Sequence, residues 1–136
     1  MIYAVDVEIR TPVHDTELPD RVERAVRNVF PEADIELDDG ELRGEAHGLE
    51  TFSELLHEQA ILDTARGAFF GNREGDTTTF ALKKAAAFEG IVNFAVGSPG
   101  ELGDIEVRVT VNEPSFEAYV DHVAPPTEGG EPLGET

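Results

Sequence analysis

The sequence predicts a single α+β domain, a mostly antiparallel sheet with helices packed on one side. Three observations carry this. Several short runs alternate apolar and polar residues with a period of two. Two longer runs repeat apolar residues at helical spacing. The resulting order, strand, helix, hairpin, helix, strand, strand, strand, helix, segregates the helices from the sheet. With 136 residues and no internal repeat or composition break, one domain over residues 1–124 is expected. An acidic Pro/Gly-rich tail over 125–136 is expected to be mobile.

Each element has a local cause. In residues 2–10, Tyr3, Val5, Val7 and Ile9 alternate with Asp6, Glu8 and Arg10, a half-buried strand closed by Thr11-Pro12. Pro19 and Asp20 suit the first turn of a helix whose apolar stripe is Val22, Ala25, Val26 and Val29, and Pro31 stops it. Arg21, Arg24 and Arg27 repeat every three residues on its other side and read as a basic ridge or, with Glu23 among them, as solvated helix surface. Ile35 and Leu37, the turn Asp39-Gly40 and Leu42 to Ala46 make a hairpin. Thr51-Phe52-Ser53-Glu54 matches a capping box, so one helix is expected from there to Arg66-Gly67, with Phe52, Leu55, Leu56, Leu62, Ala65 and Phe69 inward. Gly71 and Gly75 bracket a loop, and the β-branched run Thr77–Leu82 reads as a strand. Ala85–Ala87 is open between helix and strand. Ile91–Val96 is expected to be a strand closed by Gly97-Ser98-Pro99-Gly100, and Ile105–Val111 alternates most clearly of all. Pro114 opens a last helix with Phe116, Tyr119 or Val120, and Val123 inward.

Composition narrows the functional classes. Cys is absent, which removes disulfides, thiolate catalysis and cysteine-zinc sites. No run is apolar enough to span a bilayer and no signal peptide is read, so a soluble cytoplasmic protein without membrane contact is expected. The chain carries 29 acidic and 10 basic residues, a formal charge of -19, and eight of the basic residues are Arg. The acids are spread over every solvent face, which points to a salt-rich, halophilic cytoplasm, since near 1 M salt the Debye length is about 3 Å and self-repulsion is small.

Signatures of catalysis are weak. His57-Glu58 lacks the second His that a zinc-protease helix needs, because position 61 is Ile. His14, Asp15 and Glu17 form a cluster of a kind expected by chance at this acid content. Neither a nucleophile elbow around Ser53, Ser98 or Ser115 nor a P-loop at Gly71–Gly75 has the required spacing. No cofactor, metal site or catalytic set is therefore assigned. A small hydrolase-like enzyme using His47 or His57 with carboxylates is kept as an alternative to a binding protein.

Arg66, Arg73, Lys83 and Lys84 form the densest basic island, interleaved with Phe69, Phe70, Phe80 and Phe88. Such residues can hold phosphates while an exposed ring stacks on a base, although most of these rings are expected in the core. The plainer reading of the basic residues is local pairing with Glu74, Asp76 or Glu89, and a rival role makes the same segment a dimer seam with its charges paired across it.

At these residues the chain resembles a known family. The strand VDVEIRTPV, Glu50-Thr51-Phe52, Arg66, and the run from Gly75-Asp76-Thr77 through Phe80-Ala81-Leu82-Lys83-Lys84-Ala85-Ala86 to Gly90-Ile91-Val92-Asn93-Phe94 resemble the archaeal uncharacterised protein family 0201. The likeness extends to Pro125-Pro126-Thr127. Where the family pattern has Asn-Lys-Gln, Lys83-Lys84-Ala85 keeps the lysine and lacks two polar groups. The resemblance implies a fold similar to the large-subunit ribosomal protein that binds 5S ribosomal RNA, a homodimer, and RNA as partner; no DNA preference is inferred. The positions carried into that expectation are Arg66, Arg73, Thr77, Lys83 and Lys84.

Overall fold

Strict alternation places the two longest strands at the middle of the sheet. β1 (Ala4–Pro12) and β6 (Asp104–Glu113) pair antiparallel there, with Val5 opposite Val111 and Ile9 opposite Val107. The structure, a computed structural model, describes residues 2–95, 103–128 and 131–132. Between and after these strands come α1 (Pro19–Val29), β2 (Asp34–Asp38), β3 (Glu41–Ala46), α2 (Glu50–Glu58), α3 (Leu62–Gly71), β4 (Arg73–Glu74), β5 (Thr77–Lys83), α4 (Lys84–Phe88) and α5 (Phe116–Val123). The six-stranded sheet runs β2-β3-β1-β6-β5-β4, antiparallel throughout. This is the single α+β domain the sequence predicts.

Val5, Val7, Ile9, Ile105, Val107 and Val109 are buried, whereas Asp6, Glu8, Arg10, Glu106 and Arg108 between them are exposed. One face is thus covered by helices and the other is open, as the two-residue period requires. Phe30, Phe52, Phe69, Phe80 and Phe94 fill the covered side, with Phe52 stacked on Phe30 at 5.3 Å and on Phe80 at 5.7 Å between centroids. Of the phenylalanines around the basic island, Phe69 and Phe80 are therefore core, Phe88 packs half-buried against it and Phe70 is exposed. α1 buries Val22, Ala25, Val26 and Val29, the stripe read from the sequence. In α5, Ser115 accepts a hydrogen bond from the Ala118 amide at 3.1 Å and so caps the helix. Asp39 (φ 50) and Gly40 (φ 77) supply the left-handed turn of the β2–β3 hairpin.

Three expectations change, and one open reading is settled. The single helix over 51–67 is two helices, because Ala60 adopts φ 56 and the Ile61 amide bonds the Leu56 carbonyl at 3.1 Å. The capping box is not used: α2 starts at Glu50 without a side-chain cap, and the Ser53 hydroxyl instead donates to the Val123 carbonyl at 2.6 Å. Ala85–Ala87 is helical, within α4. The 91–96 strand is reduced to one bridge between Phe94 and Leu82, and Val96 and the Gly97–Gly100 turn lie outside the described residues. In the tail, β7 (Thr127–Glu128) pairs with β8 (Glu131–Pro132).

Candidate nucleic-acid interface

Strand parity decides which candidates face solvent together. Along β5, Thr78, Phe80 and Leu82 turn inward, so Thr77, Thr79, Ala81 and Lys83 lie on the open face. Across β6 their neighbours are Thr110, Arg108, Glu106 and Asp104. The Thr77 and Thr110 hydroxyls are 3.2 Å apart, and Lys83 and Arg108 are exposed. A polar hollow at this edge is lined by Arg73, Glu74, Thr77, Thr79, Glu106 and Arg108, together with Gly71 and Asn72. It brings together Arg73 and Thr77 of the sequence candidates, with Lys83 farther along the same strand.

Arg66 and Arg73 meet on the helical side of the same edge. The Arg66 guanidinium lies over Phe70 at 5.2 Å, Phe70 meets Phe116 edge-on at 5.7 Å, and Arg73 lies over Phe116 at 4.6 Å. Both arginines also reach α5. Arg66 donates to Asp121 at 2.7 Å and to the Ala124 carbonyl at 2.9 Å, and Arg73 donates to Glu117 at 3.1 Å. The Glu117 carboxyl is held below its ordinary pKa by its own backbone amide and then by Arg73. The arginine–phenylalanine ladder clasps α3 and β4 to α5, and Phe70 remains partly open to solvent.

Lys84 departs from its sequence neighbour. It is buried, and its Nζ donates to the Pro12 carbonyl at 2.7 Å and to Glu17 at 3.0 Å. Glu17 also accepts from the His14 amide at 3.0 Å. Lys84 therefore joins the end of β1 to the start of α4 from inside, and it is not part of a solvent-facing basic island. The cause is the two-residue period of β5, which turns Thr78, Phe80 and Leu82 inward and Lys83 outward and carries on inward at Lys84, where α4 begins.

Six of the ten basic residues are tied to carboxylates: Arg10, Arg27, Arg43, Arg66, Arg73 and Lys84. Arg43 and Arg10 share Glu41, whose pKa is lowered chiefly by the Arg43 hydrogen bond. Arg21, Arg24, Lys83 and Arg108 make no ion pair among the described residues. Arg108 did not stand out in the sequence, although the alternation of its strand marks it as outward and central. The two candidate histidines are solvent-open. His47 sits 3.3 Å from Asp6 with 79% of its side chain exposed, and His57 bonds the Ser53 carbonyl of its own helix. No group of three or more metal-ligating side chains occurs among the described residues. None of the described helices is long and apolar enough to cross a membrane.

A family model described as RNA binding matches residues 6–112, from β1 through most of β6. A UPF0201 protein of Methanocaldococcus jannaschii is 35% identical over 136 residues, an alignment covering 96% of this chain and 79% of that one. This chain belongs to the UPF0201 family. A UPF0200/UPF0201 protein of Archaeoglobus fulgidus is 41% identical over 132 residues, and there the UPF0201 chain spans only 41% of the relative's length. The crystal structure of a UPF0201 protein from Methanococcus jannaschii superposes with a TM-score of 0.86 at 33% identity, covering 95% of this chain and 99% of that one.

Proposed function

We propose that this UPF0201 chain is a non-enzymatic, RNA-associated accessory protein that holds RNA against the outer face of β5 and β6. The RNA-binding family match over residues 6–112 carries the reading. The open face supports it, because Lys83 and Arg108 make no ion pair among the described residues and Thr77 and Thr79 offer hydroxyl donors beside them. Arg73 contributes at the rim, Arg66 and Phe70 extend the contact toward α5, and Lys84 supports the strand end from within. Phosphate contacts dominate this arrangement. The outward positions of β5 are Thr77, Thr79, Ala81 and Lys83, with no ring among them on which a base could stack, so sequence preference is weak. The protein works in the salt-rich cytoplasm its charge points to, and it pairs as a homodimer.

The test is crosslinking and recovery of RNA from the native host at its own salt, beside a variant carrying Lys83→Gln and Arg108→Gln. Recovered RNA should fall on the order of tenfold in the variant while its melting midpoint stays unchanged. Equal recovery from both proteins would remove the sheet face as the contact surface. Light scattering on the same samples reads the oligomeric state.

A further inference from the structure

The arginine ridge of α1 divides into two parts that behave differently. Arg27 is bound to Glu23 at 2.8 Å. Arg21 and Arg24, one turn apart and exposed, instead lie over the same ring, with their guanidinium carbons 5.7 Å and 5.5 Å from the Phe88 centroid. Phe88 is held firmly against α1, because the Asn28 amide donates to the Ala87 and Phe88 carbonyls, both at 3.0 Å. The other end of α4 is anchored by Lys84.

Among the described residues, the carboxylates nearest this bracket in sequence are engaged elsewhere or make no ion pair with it. Glu17, in the loop just before α1, is bound to Lys84. Asp20, one turn before Arg24, and Glu89, next to Phe88, make no ion pair with either arginine. Two guanidiniums that share the Phe88 ring, with no ion pair among the described residues, therefore stand in a chain of net charge -19. A guanidinium is a planar fork matched to phosphate, and its ring support limits the entropy lost on binding. In strong salt only such contact-range pairs keep their attraction, so the surrounding acids do not cancel it.

We propose that Arg21 and Arg24, carried on Phe88, form a second phosphate contact for RNA, separate from the β5–β6 face. This rests on the RNA reading above. The experiment is fluorescence anisotropy with a labelled single-stranded oligouridylate of about 20 nucleotides, long enough to cover more than one site of a few nucleotides, over a KCl series in which the protein stays folded. The proteins compared are the wild type, the double variant Arg21→Gln with Arg24→Gln, the single variant Arg24→Gln, and the double variant Arg21→Lys with Arg24→Lys. Each single-strand phosphate contact contributes about 0.7 to the slope of log affinity against log salt, so the double Gln variant should lose about 1.4 and the single variant about 0.7. The Lys variant keeps the charges and should keep the slope. A wild-type slope in both Gln variants overturns the second contact and leaves the sheet-face reading intact. Absence of binding by the wild type overturns both.

Discussion

Lys83 and Lys84 show how far one residue's meaning depends on its backbone. In sequence they form one basic pair. In the fold Lys83 ends a strand on the open face, while Lys84 begins a helix and is buried, with 8% of its side chain exposed, against a Glu17 side chain that is 10% exposed. Removing one partner of such a pair leaves an uncompensated buried charge, which costs about 3–5 kcal/mol. Lys84→Met should therefore lower unfolding stability by roughly that amount in denaturant titration. Adding Glu17→Gln should recover much of the loss, since Gln removes the stranded charge and still accepts from the His14 amide. A Lys84→Met protein as stable as wild type would mean the ammonium is solvated. That Thr77–Leu82 forms a strand was legible in advance from its β-branched content. The burial of Lys84 was not, because its partners Pro12 and Glu17 lie about 70 positions away.

At the scale of elements, the strands were the most legible part of the chain, because a one-sided sheet writes its period directly into β1, β3 and β6. The break between α2 and α3 was hidden by its residue type. The Ala60 amide bonds the His57 carbonyl at 3.2 Å and the Ile61 amide bonds Leu56 at 3.1 Å, the paired closing bonds of a Schellman motif. That motif normally announces itself with glycine, but here alanine holds φ 56. The left-handed conformation costs an L-residue roughly 1 kcal/mol, and Ala60 is exposed, so no packing opposes a change. Ala60→Gly should raise the unfolding free energy by up to about 1 kcal/mol, less the extra chain entropy glycine adds to the unfolded state. A lower melting midpoint in the variant would contradict this account of the break. The capping box misled because α2 begins at Glu50, which places Thr51 already inside the first turn and leaves Leu49 at the cap position.

For the whole molecule the governing quantity is charge, and the sheet shows where repulsion is concentrated. On the outer face Asp34 is opposite Glu45, and Glu45 is opposite Glu8, so three carboxylates cross β2, β3 and β1 in a row. Like charges directly opposite on a sheet are destabilising by about 0.2–1 kcal/mol per pair. Screening removes most of this as the Debye length falls from about 10 Å at 0.1 M salt to about 3 Å at 1 M. The melting midpoint should accordingly climb with KCl over that range. Salt also strengthens apolar burial in general, so the rise alone does not isolate the carboxylates. Glu45→Lys does, because it turns two repulsive pairs into attractive ones without touching the core face. The variant should melt higher than wild type in low salt, and the difference should shrink as KCl is raised. A constant difference at all salt concentrations would assign the effect to packing or propensity, and the acidic row would then have no part in the salt dependence.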